Sequence, residues 1–270
     1  MTTFDYQMKM KMNFSELKQF LDDKAELYNT PKFIESDPIS IPHQFDLKED
    51  IEIMSFLVST IAWGNRKMII KSGNSLATIL GNSPYDFIMN YRETKSVFLR
   101  DFKHRTFNSF DLEFFITALK NIYAKHKGLE NVFSSPINSG STTMQGSIEN
   151  FRKIFFETVE DSKFRTFKHV ASPAKGSASK RINMYLRWMV RQDKKGVDFG
   201  IWKSISPSLL SCPLDVHSGN VGRALGLLPR KQNDWKAVME LDKNLRKMDA
   251  SDPVKYDFAL FGLGVFEKFA

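Results

Sequence analysis

The feature that most constrains this chain is the run from Leu47 to Trp63. It is the most apolar stretch of the sequence, and Ile51, Met54, Leu57, Val58 and Ile61 recur in it three or four residues apart, with Ile53 and Phe56 broadening the face. That period belongs to a helix with a wide buried side. Gly64 and Asn65 follow as a stop signal.

The rest of the chain reads the same way. Phe14, Leu17, Phe20 and Leu21 predict a helix over 13–28, capped by Asn13 or Ser15. Residues 29–46 carry Pro31, Pro38 and Pro42 and predict an extended connection. Further helices are predicted over 66–80, from Pro84 to about Tyr91, and over 110–126, 148–159 and 233–248, with a closing helix starting at Pro253. No strand alternation runs longer than a few residues. The predicted fold class is all-α, with 24 phenylalanines available to fill helix interfaces. Residues 134–147 are rich in Ser, Thr and Gly and predict an exposed linker. They set the expected boundary between two helical lobes of a single unit over 1–270.

Composition excludes several classes. A lone cysteine, Cys212, rules out an intrachain disulfide framework or a cysteine-ligated cluster. The five histidines are scattered, so neither a metal nor another cofactor is expected. No segment offers 18 consecutive apolar residues, and the Met/Lys alternation at 8–12 is too polar for a signal-peptide core. The expectation is a cytoplasmic protein with no membrane partner. The formal charge of +8 and pI near 9.4 favour a polyanionic partner.

Two residues stand out as chemistry. Ser179 is placed to cap a helix whose buried face is Ile182, Leu186, Met189 and Val190, which puts Lys180 in the first turn. The positive end of the helix dipole and the neighbouring Arg181 both disfavour an ammonium there, and a neutral amine is what a nucleophilic lysine needs. The competing reading is a solvated lysine. Asp215 follows Pro213 and Leu214 and precedes another helical run, so it reads as an N-cap whose carboxylate is held ionised and aimed. The competing reading is a cap and nothing more. The chemical reading requires that Lys180 and Asp215 meet in one cleft.

The residues PLDVH at 213–217, with Val221 and Arg223 beyond, resemble the segment P-V-D-[TV]-H of the helix-hairpin-helix DNA glycosylases. Upstream, AKGSASK at 174–180 resembles their hairpin L-P-G-V-G-x-K, with Ala178 and Lys175 standing where a glycine and the proline are usual. Residues 51–76 are similar to the family's early apolar helix and the turn after it, and 258–264 to its closing helix. The spacing from Lys180 to Asp215 is closest to the archaeal-type 8-oxoguanine DNA glycosylases, within a bacterial family of unassigned function.

The resemblance implies a base-excision DNA repair glycosylase with AP lyase activity, working as a monomer on double-stranded DNA that carries a damaged base. Lys180 would attack sugar C1′ of the flipped nucleotide, and Asp215 would activate it and offset developing positive charge. Backbone N–H groups at Gly176 and Ser177, with Lys175 and Arg181, would hold phosphate. The turn with Asn65 and Arg66 would reach into the gap left by the flipped base, or else simply end one helix. Trp63, His217 and Asp257 are pocket candidates. Against these stand a core role for Trp63, as for Trp188 and Trp202, a structural role for His217, and a surface or capping role for Asp257. The basic and aromatic stretches 103–107 and 163–169 suit phosphate contact with stacking, or amphipathic packing with a solvated edge. A non-catalytic helix-hairpin-helix DNA-binding protein is the alternative function. A helical protein-interaction module would have no positive cleft.

Overall fold

The computed structural model describes residues 12–161 and 163–270; Met8–Lys11 of the Met/Lys stretch lie outside them. Twelve α-helices occur among the described residues, joined by 3-10 turns. The buried axis is α3 (Lys48–Ile61), in which every residue from Asp50 to Ile61 is buried. Two of its polar side chains are matched inside the core, while the buried Ser55 Oγ has no partner among the described residues. Glu52 accepts from Tyr123 Oη at 2.6 Å and Trp202 Nε1 at 2.7 Å, and Ser59 Oγ donates to Phe56 O at 3.0 Å.

The predicted helices at both ends of the chain form where the spacing placed them. α1 (Phe14–Tyr28) is capped by Asn13 in a reciprocal box with Glu16. It packs on the closing helix α12 (Tyr256–Val265), which also lies against α10 (Val216–Ala224). α4 (Arg66–Ile79) and α5 (Pro84–Met89) follow α3. α6 (Ser109–Lys125) brings Phe115 onto Phe56 at 5.4 Å, and Phe151 of α8 (Met144–Phe155) meets the edge of the same ring at 5.2 Å. α9 (Lys180–Val190) runs beside α3, buried from Ile182 to Val190. α11 (Trp235–Met248) begins at an Asp234 cap.

Two expectations are corrected. Residues 29–46 are not extended: they form α2 (Pro31–Ser36) and two 3-10 turns, Pro38–Ser40 and Pro42–Gln44. Each proline sits at the start of its turn, where its fixed φ suits helical geometry and its missing N–H costs nothing. Residues 134–147 are not a linker. α7 (Leu129–Asn138) and α8 occupy most of them, Ser134 and Ser147 are buried, and only 139–143 are open turn. Phe133 stacks on Phe151 at 4.5 Å, so the core is continuous across the expected lobe boundary. A small antiparallel hairpin also appears, β1 (Lys103–His104) with β2 (Phe107–Asn108), too short to register as alternation.

One buried carboxylate fixes the segment leading to Asp215. Asp242 of α11 accepts from Cys212 N at 2.9 Å, and Arg246 lies 3.7 Å away. Burial pushes the Asp242 carboxyl up to about 6, against the pull of that hydrogen bond and of Arg246. A raised folded-state value means the folded chain keeps a proton that the unfolded chain releases, so this contribution is full below about pH 4 and is lost as pH rises through about 6. Asp242→Asn keeps an acceptor for Cys212 and removes the ionisation. Between pH 4 and pH 7 the wild type should lose roughly 1–3 kcal/mol more stability than this variant, measured by urea denaturation at both pH values.

Candidate functional site

Lys180 and Asp215 come to one cleft. A cavity of about 650 Å³ opens where the end of α3, the start of α4, the first turns of α9 and α10, the inner side of α12 and the segment around Asp37 converge. Lys180, Asp215, His217, Asp257, Trp63 and Arg66 all line it. Residues from five separate parts of the chain thus share one concave surface.

α9 supplies the lysine. Ser179 holds the N-cap position but does not cap. Its backbone is left-handed (φ 49°), no side-chain bond satisfies the helix end, and its Oγ donates to Ser177 O at 3.3 Å. The capping expected of Ser179 is therefore wrong, while the placement of Lys180 in the first turn is right. The left-handed residue turns the chain sharply from the 173–176 turn into α9, and Lys180 Nζ lies 3.4 Å from Met184 Sδ, one turn along the cavity wall.

Asp215 caps α10 as its position predicted. Its Oδ1 accepts from Ser218 N at 3.0 Å, and Ser218 Oγ accepts from Asp215 N at 2.9 Å. The cap uses one oxygen and leaves the carboxylate at the cavity wall. His217 is exposed and also on the wall.

Asp257 is neither a surface nor a capping residue. It is buried on α12 and ion-paired with Arg187 of α9. Burial pushes its carboxyl up to about 6, and Asp215 adds to the rise, while Arg187 and Lys180 oppose it. Arg187 is itself buried, bonded through Nε to Asp198 at 3.1 Å and seated over the Phe258 ring at 4.3 Å. Arg191, one turn on, reaches Asp198 at 3.1 Å and Asp252 at 2.9 Å.

Sequence reasoning missed Asp37 and Arg187 on this wall. Asp37 caps the turn Pro38–Ser40 by accepting from Ile39 N at 3.1 Å. Burial raises its carboxyl, against Arg187, Arg66 and Lys180. An Asp-Pro pair announces a cap, but nothing local announces a cavity wall. Arg187 is the one buried charge on the apolar face of α9, and a charge at a face position was the available signal.

The expected phosphate contacts are largely committed elsewhere. Arg181 donates to Thr60 O and to Lys168 O and lies over Trp63 at 4.9 Å, and burial pulls its guanidinium down to about 10. Gly176 N donates to Pro173 O at 2.8 Å and Ser177 N to Ser172 O at 3.1 Å, so these amides close the turn on itself. Ser177 also forms an isolated bridge with Asp234. Lys175 remains exposed. Asn65 caps α4 through Met68 N at 3.3 Å and is exposed, while Arg66 covers the Phe261 ring at 5.2 Å. Trp63 is half-buried and lines the cavity, whereas Trp188 and Trp202 are core. Within 163–169, Arg165 pairs with Asp111 at 3.0 Å and His169 is buried, which is packing.

The fold and cleft define a mostly helical protein in which one cavity gathers one lysine and three aspartates. By sequence the chain belongs to the family DUF2400, described as a protein of unknown function, whose profile matches residues 37–266. That span includes every wall residue named above except Phe33 of the N-terminal side, which also lines the cavity. No curated protein and no solved structure matches the chain. No helix of the described residues is long and apolar enough to cross a membrane.

The cap and the cavity role of Asp215 can be separated. Asparagine caps as well as aspartate, so Asp215→Asn should leave stability within about 0.5 kcal/mol, whereas Asp215→Ala should cost about 1 kcal/mol. Arg187→Ala strands the buried Asp257 carboxylate, while Asp198 keeps Arg191, and should cost roughly 3–5 kcal/mol. Equilibrium denaturation of the three variants beside the wild type checks both expectations.

Proposed function

We propose that this protein is a DNA glycosylase with AP lyase activity, built on a two-lobed helix-hairpin-helix fold, that acts on a damaged base in duplex DNA. The observation that carries the reading is the meeting of Lys180 and Asp215 in one cavity of a chain with net charge +8. Binding alone has no use for carboxylates set beside a lysine in a nucleic-acid cleft, where they repel phosphate.

The chemistry follows from the residues. The Lys180 Nζ lone pair attacks C1′ of the extruded nucleotide, and the C1′–N bond breaks with its electrons leaving on the base, which takes up a proton. The amine gives up a proton to the Asp215 carboxylate. Ring opening then breaks C1′–O4′ and leaves an iminium between Lys180 and C1′. Loss of a C2′ proton expels the 3′ phosphate and nicks the strand. As the glycosidic bond lengthens, positive charge grows on the sugar, and Asp215 with the other wall carboxylates favours it. The cavity of about 650 Å³ is within the range that encloses a base-sized ligand. An oxidised purine such as 8-oxoguanine is the lesion to try first.

Borohydride trapping on a panel of lesion-containing duplexes tests the proposal. The wild type should form a covalent adduct on at least one duplex. Lys180→Gln should abolish it, and Asp215→Asn should slow it at least ~100-fold while staying folded. If no duplex yields an adduct while DNA binding persists and neither substitution alters it, the chain is a non-catalytic DNA-binding protein instead.

A further inference from the structure

The hairpin β1–β2 has no place in the chemistry above, yet it carries a left-handed arginine near the cleft. Its two-residue loop is Arg105-Thr106, and Arg105 takes φ 54°. A tight hairpin loop favours glycine or asparagine at such a position because the side chain crowds its own backbone. An arginine there carries a conformational cost, and such costs persist where the side chain has a task.

The surroundings hold that side chain in one place. The hairpin is fastened from below by His104, which is buried. Its Nδ1 meets Ser72 Oγ at 2.9 Å, and its Nε2 meets Trp63 O at 3.3 Å. Arg165 Nη2 donates to Thr106 O at 3.0 Å from the other side. Arg105 itself is exposed, and its guanidinium lies against Gly64. Gly64 has φ 98° and no room for a Cβ beneath that guanidinium, so the turn after α3 is shaped to receive it. Gly64 and Trp63 are both cavity wall. Among the described residues no carboxylate pairs with Arg105. A planar cation is thus carried on a strained, anchored loop to the rim of the cleft and left without a counter-charge.

We infer that Arg105 is a nucleic-acid contact, its guanidinium set at the rim of the cleft to take a backbone phosphate of the strand that feeds it. The inference rests on the nucleic-acid reading of the cleft but not on lyase chemistry. A guanidinium presents a fork that matches two phosphate oxygens, and the rigid mount removes most of the ordering cost such a contact ordinarily carries. Because the strain exists for binding and not for folding, removing the side chain should act oppositely on the two.

The test is fluorescence anisotropy with the full chain on a duplex containing a tetrahydrofuran abasic analogue, from 50 to 200 mM salt, beside thermal denaturation. Arg105→Gly should bind roughly tenfold more weakly at low salt, and its slope of log affinity against log salt should fall by about 1, one phosphate's worth. Its melting temperature should equal or exceed that of the wild type, since glycine relieves the loop. Arg105→Lys should keep the salt slope and recover part of the affinity. If the wild type binds and Arg105→Gly leaves affinity and slope unchanged, or melts lower with the slope unchanged, Arg105 is a packing residue and the inference is wrong. If the wild type does not bind the duplex at all, the nucleic-acid reading itself falls. If binding depends on Arg105 while borohydride trapping fails, the contact stands and the lyase assignment falls.

Discussion

The candidate site depends on a buried ion pair. Arg187 of α9 joins Asp257 of α12 and Asp198 of the segment after α9, and Arg191 extends the set to Asp252. These groups are costly to bury singly and tolerable only together. They also lie between elements that are far apart in sequence. α9 carries Lys180 at its start, and α12 packs on α10, whose first residue follows the Asp215 cap. Locking α9 to α12 therefore sets the distance between lysine and aspartate across the cavity. The aromatic cluster around Phe56 reaches the same helix through Tyr185, 5.6 Å from the Phe56 ring, so the ion pair and the core share α9.

Helices were legible because their signal is local. The apolar period of α3, α9 and α11 repeats within each run, and the Asn13, Asp215 and Asp234 caps sit immediately before the residues they serve. The connections were less legible for the same reason. Pro31, Pro38 and Pro42 read as breakers, whereas each starts a short helical turn: that of Pro31 packs on α12 through Phe33, that of Pro38 on α3 and α4, and that of Pro42 on α3. The Ser- and Gly-rich residues 134–147 read as a linker, yet both ends of the run are helical and bury Ser134, Met144 and Ser147 beside the core residues Phe133 and Ile148. Small polar residues are permissive, and tertiary contact decided what they became.

The site was legible in its reactive pair and obscure in its walls. Lys180 and Asp215 each stand at a helix start with a recognisable local pattern. Asp37, Arg187 and the Arg105 hairpin have meaning only through residues distant in sequence. Asp37 is a turn cap until the chain returns to place Lys180 and Arg187 near it. Arg105 is one basic residue among many until Gly64 is seen beneath it. Ser179 shows the reverse error: its type suits a cap, but the turn before it forces a left-handed backbone from which the hydroxyl points back to Ser177.

The distribution of charge in the cleft constrains what it can bind. The protein as a whole is basic, and Lys175 and Arg105 stand exposed near the two ends of the constellation. The interior wall is different: Asp37, Asp215 and Asp257 face inward together with Lys180, Arg66 and Arg187. An anion entering deeply would meet three carboxylates in a medium where charge is weakly screened. A neutral or cation-developing group would not. Under the proposed nucleic-acid reading, phosphates would lie at the rim and an uncharged sugar and base inside, the polarity a flipped nucleotide presents: anionic backbone outside, neutral ring within. On that reading the three aspartates offset basic side chains of the same wall, Arg181 among them, and the net positive charge of the chain is left to the rest of its surface.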